Sequence, residues 1–204
     1  MVEISRRRAI EDVASELFRT HGYAATSVRD IARALDIQGA SLYAHVTSKE
    51  DVLWAIVDRA ATRFEAAAEA AIQERTTPGM TRPAARADPI TALAALVRAH
   101  VLVIAADPGA AGVFVHEWRA LGPERRRTIL ARRDAYEARF RELIERGMAD
   151  GVFEMTDPVI ASTTILSALN GLPAWYDPAG RLSPDRVADH LVDLVLRMLQ
   201  GASR

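Results

Sequence analysis

The segment from Thr26 to Lys49 constrains the fold of this chain more than any other part of it. Ser27 and Asp30 have the spacing of a capping box, in which each residue satisfies a free backbone amide at a helix start. Apolar residues at helical spacing follow, then a corner at Asp36, then a second short helix from about Gln38 to His45. Two short helices joined by a tight corner predict a helix-turn-helix, a layout that reads DNA.

The corner of such a motif commonly needs a residue with a left-handed backbone, a conformation that favours glycine. Asp36 stands at this position. Aspartate tolerates the left-handed conformation better than most residues. We therefore expect a positive φ angle at residue 36.

The rest of the chain is helical in pattern, with no alternation typical of strands. One helix, Arg6 to His21, precedes the motif, and Ser48 with Asp51 predicts the start of a long helix that runs to about residue 75. Residues 76–89 contain three prolines and read as a mobile connection. Later helices are predicted over 91–106, 108–121, 123–150, 158–176 and 184–200.

This pattern predicts an all-α fold of about nine helices. We expect a helix-turn-helix DNA-binding domain at residues 1–50, and a connecting helix with a ligand-binding and dimerisation bundle at residues 51–204. Four of the later starts have a cap-type or small residue before a proline, as first helical turns favour. These pairs are Asp107-Pro108, Gly122-Pro123, Asp157-Pro158 and Ser183-Pro184.

Composition narrows the classes of function. The 204-residue chain has a formal net charge of -1 and no cysteine, so disulfides, thiolate catalysis and cysteine-based zinc sites are excluded, and any nucleic-acid surface must be local. The apolar run 92–106 is interrupted by Arg98 and His100 and is predicted to be too short to span a membrane. Because no signal-peptide pattern follows the N-terminal arginines, we expect a cytoplasmic protein without membrane contact.

No catalytic set is apparent. His116-Glu117 resembles the start of a zinc-protease motif, but Ala120 occupies the position of its second histidine. There is no serine with a paired histidine and acid, no carboxylate pair at metal spacing and no phosphate-binding glycine loop. We therefore predict a protein that is not an enzyme and has no metal site and no cofactor.

The second helix of the motif carries the side chains that a DNA reader needs, small or polar outside and apolar behind. Gln38 and Ser41 can bond base edges, and Gly39 and Ala40 allow close approach. Phosphate contacts are expected at helix starts and on the flanks, where free amides favour anions. The residues expected there are Thr26, Ser27, Tyr43, His45 and Lys49. Such motifs also occur in proteins that never touch DNA, and the arginines at 6–8 are either a minor-groove arm or a solvated end.

Residues 26–53 also resemble a known family. The strings TSVRDIA, SLYAHV and SKEDVL resemble the N-terminal domain of TetR-type (TetR/AcrR) transcriptional regulators. The resemblance implies recognition-helix and phosphate-binding roles for this set: Thr26, Gln38, Gly39, Ala40, Ser41, Tyr43, His45 and Lys49. Asp36 departs from the usual corner glycine, and Val46 from the usual aromatic residue after the histidine.

The second half of the chain carries a candidate effector pocket. Gly171 and Pro173 interrupt an apolar helix and open space, and the aromatic and amide side chains beside them suit a small molecule. The predicted pocket residues are His100, Phe114, Trp118, Tyr136, Phe140, Asn170, Trp175 and Tyr176. Two alternatives stay open, a satisfied core position for the histidine and core or dimer packing for Trp175 and Tyr176.

Residues 116–153 and the string WYDPAGRLSP resemble a subgroup of these regulators that controls lipid or steroid breakdown and responds to acyl-CoA thioesters. On this resemblance the effector is a small hydrophobic or acyl-CoA-type compound. Five arginines can either meet CoA phosphates or form a solvated helix face. They are Arg125, Arg126, Arg127, Arg132 and Arg133.

The last two helices are apolar on more than one side, which predicts a homodimer through a four-helix interface. A two-fold dimer predicts a palindromic operator. The predicted function is a ligand-responsive DNA-binding regulator, a repressor that its effector releases from double-stranded operator DNA. The alternative is a helical-bundle carrier or enzyme for an acyl or steroid compound that does not bind DNA.

Overall fold

The computed structural model describes residues 2–73 and 88–201, and within these ranges every regular element is helical. The α-helices are α1 Val2–His21, α2 Val28–Ala34, α3 Gly39–Tyr43, α4 Lys49–Gln73, α5 Pro89–Ala106, α6 Pro108–His116, α7 Pro123–Ala149, α8 Pro158–Asn170 and α9 Pro184–Gln200. Two 3₁₀ helices, η1 Trp118–Ala120 and η2 Leu172–Ala174, follow α6 and α8. The all-α prediction is confirmed. Of the connection predicted over residues 76–89, residues 76–87 lie outside the described residues.

Three of the proline-marked helix starts are capped as predicted. The side chains of Asp107, Asp157 and Ser183 each accept a hydrogen bond from the backbone amide three residues later, at 3.1, 3.0 and 3.4 Å. Each bond satisfies one of the amides that a helix start leaves without an internal partner. The starts of α6, α8 and α9 are therefore fixed by local sequence.

Helix α5 begins two residues earlier than predicted. Asp88 accepts hydrogen bonds from the amides of Ile90 and Thr91 at 3.2 and 3.0 Å, and Pro89 is the first helical residue. At 18 residues the helix is long and apolar enough to cross a membrane by length and composition, so the exclusion based on length is wrong. Half of the helix is buried inside the protein. Its apolar composition is therefore that of a core helix.

Two predicted helices end early. Helix α8 stops at Asn170, because Gly171 and Pro173 follow and a proline has no N–H to donate to the preceding turn. Residues 172–174 then form the 3₁₀ helix η2. Helix α6 stops at His116 and not at the predicted residue 121, and η1 takes up residues 118–120.

The chain divides into two compact units, residues 1–62 with 107–132 and residues 63–106 with 133–204. The boundary predicted after residue 50 lies inside the first unit. The first unit includes α6 because α6 packs against α1. The second unit is organised by α5, which packs against α9.

Each unit has its own core of fully buried apolar side chains. In the first unit these come from every helix of the motif and its neighbours: Ile10, Phe18, Ile31, Leu42, Leu53, Ile56 and Ile129. In the second they include Leu93, Leu96, Ile104, Phe140 and Ile144. Burial of one such side chain contributes about 1.5–3 kcal/mol, so the short α3 is held in place through Leu42 and not through its own helical propensity.

Charged groups fix the start of α4 within the first unit. Glu50 accepts a hydrogen bond from the amide of Gly122 at 3.0 Å, and Arg125 donates to Asp51 at 2.5 Å. Arg125 also lowers the pKa of the Asp51 carboxyl by this hydrogen bond. The first turn of α4 is therefore tied to the first turn of α7.

Candidate nucleic-acid interface and effector site

The start of α2 is a complete capping box. The Ser27 hydroxyl accepts from the Asp30 amide at 3.2 Å, and the Asp30 carboxylate accepts from the Ser27 amide at 2.9 Å and from its hydroxyl at 2.6 Å. These bonds to Ser27 lower the pKa of Asp30. The predicted cap is confirmed, and it leaves Ser27 exposed at a helix N-terminus, where phosphate is favoured.

The corner between α2 and α3 has the expected left-handed residue. Asp36 has a φ of 53°. The amide of Asp36 bonds to the carbonyl of Arg33 at 3.1 Å, and that of Ile37 bonds to the carbonyl of Ala32 at 3.0 Å. This pair of bonds is a Schellman motif, which satisfies the last carbonyls of α2. The chain therefore turns sharply without glycine.

Helix α3 presents a small and polar outer face. Leu42 is buried beneath it, while Gln38, Ala40 and Ser41 are exposed and Tyr43 is 58% exposed. A Cβ added at Gly39 would meet nothing within 4 Å, so this surface is open to close approach. Since side chains of this kind can reach base edges and backbone phosphates, α3 has the chemistry of a recognition helix.

Three predicted phosphate-binding side chains are less available than the sequence suggested. Thr26 is 3% exposed, and its hydroxyl donates to the Gly22 carbonyl at 2.9 Å. The ammonium of Lys49 donates to two backbone carbonyls. His45 is partly buried, and its Nδ1 is enclosed without a hydrogen-bond partner. Of the flanking residues, Ser27 and Tyr43 are the most exposed.

Sequence reasoning missed two cations beside α3. Arg29 and Arg33 are exposed on α2, and they line a depression of about 400 Å³ together with Asp36, Gln38 and Gly39. Their spacing of four residues, on the face opposite the buried Ile31 and Ala32, was the signal that could have found them. Both carry positive charge, and that of Arg33 is partly offset by its ion pair with Asp30 at 3.2 Å. A chain with a formal net charge of -1 needs such local charge in order to bind phosphates.

In the second unit, four aromatic side chains surround one another at the predicted effector site. His100 is 3% exposed, and its Nδ1 lies 3.1 Å from the Tyr136 hydroxyl. The His100 ring centroid lies 4.7 Å from that of Phe64 and 6.4 Å from that of Phe140. The structure thus brings together three predicted pocket residues, and adds Phe64 of α4, which was not among the predicted residues.

Burial lowers the pKa of His100 from 6.5 to about 3. The charge of Arg133 acts in the same direction, and a hydrogen bond with Asn170 opposes both. Burial also raises the pKa of the Tyr136 hydroxyl. Both groups are therefore neutral at physiological pH and can offer only neutral hydrogen bonds.

The other predicted pocket residues are spread over both units. Phe114 and Trp118 are buried in the first unit, whereas Asn170, Trp175 and Tyr176 belong to the second. Trp175 is 59% exposed, and Tyr176 is buried with its hydroxyl lacking a hydrogen-bond partner. A separate groove of about 880 Å³ in the second unit runs along α5, lined mainly by alanine, valine and leucine from α4, α5 and α9.

Two of the five candidate CoA-binding arginines have partners in the first unit. Arg125 bonds to Asp51, and Arg132 donates to the carboxylate of Asp58 at 2.7 Å. Arg126 and Arg127 are exposed. Of the five arginines, Arg126 and Arg127 are therefore better placed than Arg125 and Arg132 to contact a CoA phosphate.

Helices α8 and α9 each have one buried and one uncovered apolar face. Ile165 and Val195 are buried, whereas Ile160 is 65% and Leu194 is 60% exposed. Val159 and Met198 are also large apolar side chains with high exposure. An uncovered apolar surface on two adjacent helices is what a two-fold interface would bury.

Comparison with known proteins identifies relatives over both parts of the chain. Residues 10–56 match the family described as bacterial regulatory proteins, tetR family, and residues 86–199 match the tetracyclin repressor-like C-terminal domain. The HTH-type transcriptional repressor KstR2 of Rhodococcus jostii (strain RHA1) is 30% identical over 200 residues, which cover 94% of this chain and 89% of the relative.

Two solved structures have the same fold. The TetR family transcriptional regulator PfmR from Thermus thermophilus is 34% identical with a TM-score of 0.78, over 96% of this chain and 99% of that one. AibR in complex with isovaleryl coenzyme A and operator DNA is 27% identical with a TM-score of 0.77, over 95% and 97% of the two chains.

Proposed function

The chain belongs to the TetR family of bacterial regulatory proteins, and we propose that it represses transcription from a palindromic operator until a small effector releases it. The family is one of DNA-binding regulators. The observation that carries the proposal is the outer face of α3, where Gln38, Ala40, Ser41 and Tyr43 are exposed above the buried Leu42. This face suits entry into the major groove.

We propose that base contacts come from Gln38, Gly39, Ala40 and Ser41. Phosphate contacts come from Ser27, Tyr43 and the arginines of α2. Further phosphate contacts come from the backbone of Thr26 and the ring edge of His45. The supporting observations are the exposed cap at Ser27 and the exposed cations Arg29 and Arg33. Phosphate contacts supply affinity, and base contacts supply sequence preference.

We propose that the effector is a small hydrophobic or acyl-CoA-type compound. KstR2 is a repressor, and AibR was solved with isovaleryl coenzyme A and operator DNA, so the comparison supports this class. The neutral His100 and Tyr136 suit an uncharged polar group on an apolar ligand. The candidate pocket residues within the second unit are His100, Tyr136, Phe140, Asn170, Trp175 and Tyr176.

We further propose that two copies of the chain pair through the apolar faces of α8 and α9, as the exposed Ile160 and Leu194 suggest. A two-fold dimer presents two recognition helices, whose separation must match half-sites about one DNA turn or a multiple of it apart. An effector that favours a different separation shifts the population away from the DNA-bound form. Repression of this kind requires no enzymatic activity, and it takes place in the cytoplasm, where the operator is.

The test is a gel-shift titration of the purified protein on the DNA upstream of its own coding sequence, with Tyr43→Ala and Gln38→Ala beside wild type. His116→Ala, an exposed change at the end of α6, serves as the matched control. Wild type and the control should retard the DNA at low salt, and the α3 variants should bind about ten- to a hundredfold more weakly. Absence of retardation by wild type at low salt would instead favour a carrier of an acyl or steroid compound.

A further inference from the structure

Lys49 is the only lysine in the chain, and it is the first residue of α4, directly after the helix-turn-helix. Its Nζ donates to the carbonyl oxygens of Tyr23 and Thr26, both at 2.8 Å. The ammonium also lies 4.2 Å from the centroid of the Tyr23 ring. Two of its three N–H donors therefore bond to carbonyls inside the protein, and the ammonium also makes a cation–π contact with Tyr23.

The two acceptors stand at the other end of the same motif. Thr26 directly precedes Ser27, the cap of α2, and is 23 residues before Lys49 in sequence. Tyr23 is itself held in place, because its ring packs edge-on against the buried Phe18 with centroids 5.2 Å apart. Lys49, the first residue of α4, is therefore bonded to the segment that leads into α2.

A segment that is tied at both ends has fewer conformations open to it than a free one. Helices α2 and α3 and the left-handed corner at Asp36 all lie between the two tied ends. The tie therefore restricts where the exposed cap of α2 and the outer face of α3 stand relative to each other. Binding to DNA needs both at once, since one would meet phosphate and the other base edges.

We propose that Lys49 is a positioning residue for DNA binding, a clasp that holds the two ends of the helix-turn-helix together through backbone carbonyls, and not a phosphate contact. This inference rests on the proposed DNA-binding function. Two of the three N–H donors of Lys49 already bond to carbonyls in a partly buried site, so a phosphate that drew the ammonium away would break both of these bonds. Its role is thus distinct from that of the exposed arginines on α2.

The salt dependence of operator affinity separates the two roles. Loss of one phosphate contact reduces the slope of log K against log salt by about 0.9, because one fewer counterion is released. Loss of a clasp leaves the number of phosphate contacts unchanged. For Lys49→Met, which keeps most of the side-chain length without the charge, we expect affinity to fall by about tenfold at every salt concentration with an unchanged slope.

Arg181→Met is the control for removal of a positive charge, because Arg181 is exposed in the loop before α9 and lies outside both the helix-turn-helix and the apolar faces of α8 and α9. It should change neither affinity nor slope. A slope that falls by about one unit in Lys49→Met, or an affinity equal to that of wild type, would overturn the clasp. If wild type itself fails to bind the upstream DNA, the proposed function fails instead.

A second measurement uses wild type alone and so does not depend on whether a variant folds. Labelling with ¹⁵N-lysine gives one side-chain ammonium signal, because the chain has a single lysine. The clasp predicts that this signal is protected from water exchange in the free protein and changes little when operator DNA is added. A freely exchanging ammonium, or a scalar coupling to a DNA phosphorus in the complex, would contradict the clasp even if the protein binds its operator.

Discussion

Acidification should destabilise the second unit through His100. Burial lowers its pKa from 6.5 to about 3 in the folded protein, with Arg133 acting in the same direction and Asn170 against it. Below pH 6.5 the unfolded chain gains a proton at this histidine, and the folded chain does not until near pH 3. The stabilisation is therefore fully present above pH 6.5 and is lost progressively as the pH falls towards 3.

The size of this effect follows from the pKa difference. Each pH unit within the window costs about 1.4 kcal/mol, so stability should fall by about 2 kcal/mol between pH 7 and pH 5 from this residue alone. The perturbation is His100→Gln, which removes the titrating group and keeps a hydrogen-bonding side chain near the Tyr136 hydroxyl.

The assay is urea unfolding at pH 7 and pH 5 for wild type and His100→Gln, with His116→Gln, an exposed histidine of α6, as the control. Any constant cost of losing the bond to Tyr136 cancels when the two pH values are compared for one protein. Wild type and the control should lose about 2 kcal/mol more than His100→Gln. An equal loss in all three would refute the burial of a neutral histidine.

Four further substitutions test the packing and assembly of the fold. Asp36→Gly should stabilise the protein by up to about 1 kcal/mol in urea unfolding, since glycine removes the cost of a left-handed backbone; a destabilised variant would contradict the corner geometry. Gly147→Ala should destabilise it by about 1–3 kcal/mol or prevent folding, because the added methyl would overlap the Phe153 ring, whereas Gly39→Ala meets open space and should fold normally. Leu194→Asp should convert the dimer to monomer in analytical ultracentrifugation and weaken operator binding, and a dimer of unchanged mass would exclude this face of α9.

Local sequence was sufficient for most helix boundaries. The caps at Ser27, Asp107, Asp157 and Ser183 are side-chain bonds to amides two or three residues away, so the pattern that predicts them is also their physical cause. The start of α5 carried the same signal in Asp88-Pro89, which was assigned to the connection because of the prolines before it. The left-handed Asp36 was likewise predictable from its neighbours.

The partners of buried and charged groups were not predictable, because they depend on packing between distant segments. Phe64 contacts His100, 36 residues later, and no local pattern in the sequence links the two. Lys49 was expected at a phosphate from its place at a helix start, yet its ammonium bonds to carbonyls 23 and 26 residues earlier. Long-range contacts of this kind also decide that Phe114 and Trp118 belong to a different unit from the other predicted pocket residues.

The central claim is that two copies of this chain bind a palindromic operator through α3. Native mass spectrometry of wild type mixed with a duplex from its own upstream region tests it most directly, with a scrambled duplex of equal length as the control. We expect a complex that contains protein in multiples of two chains per palindromic duplex, and loss of that complex when an acyl-CoA effector is added. A single chain per duplex, or equal binding to the scrambled DNA, would contradict it.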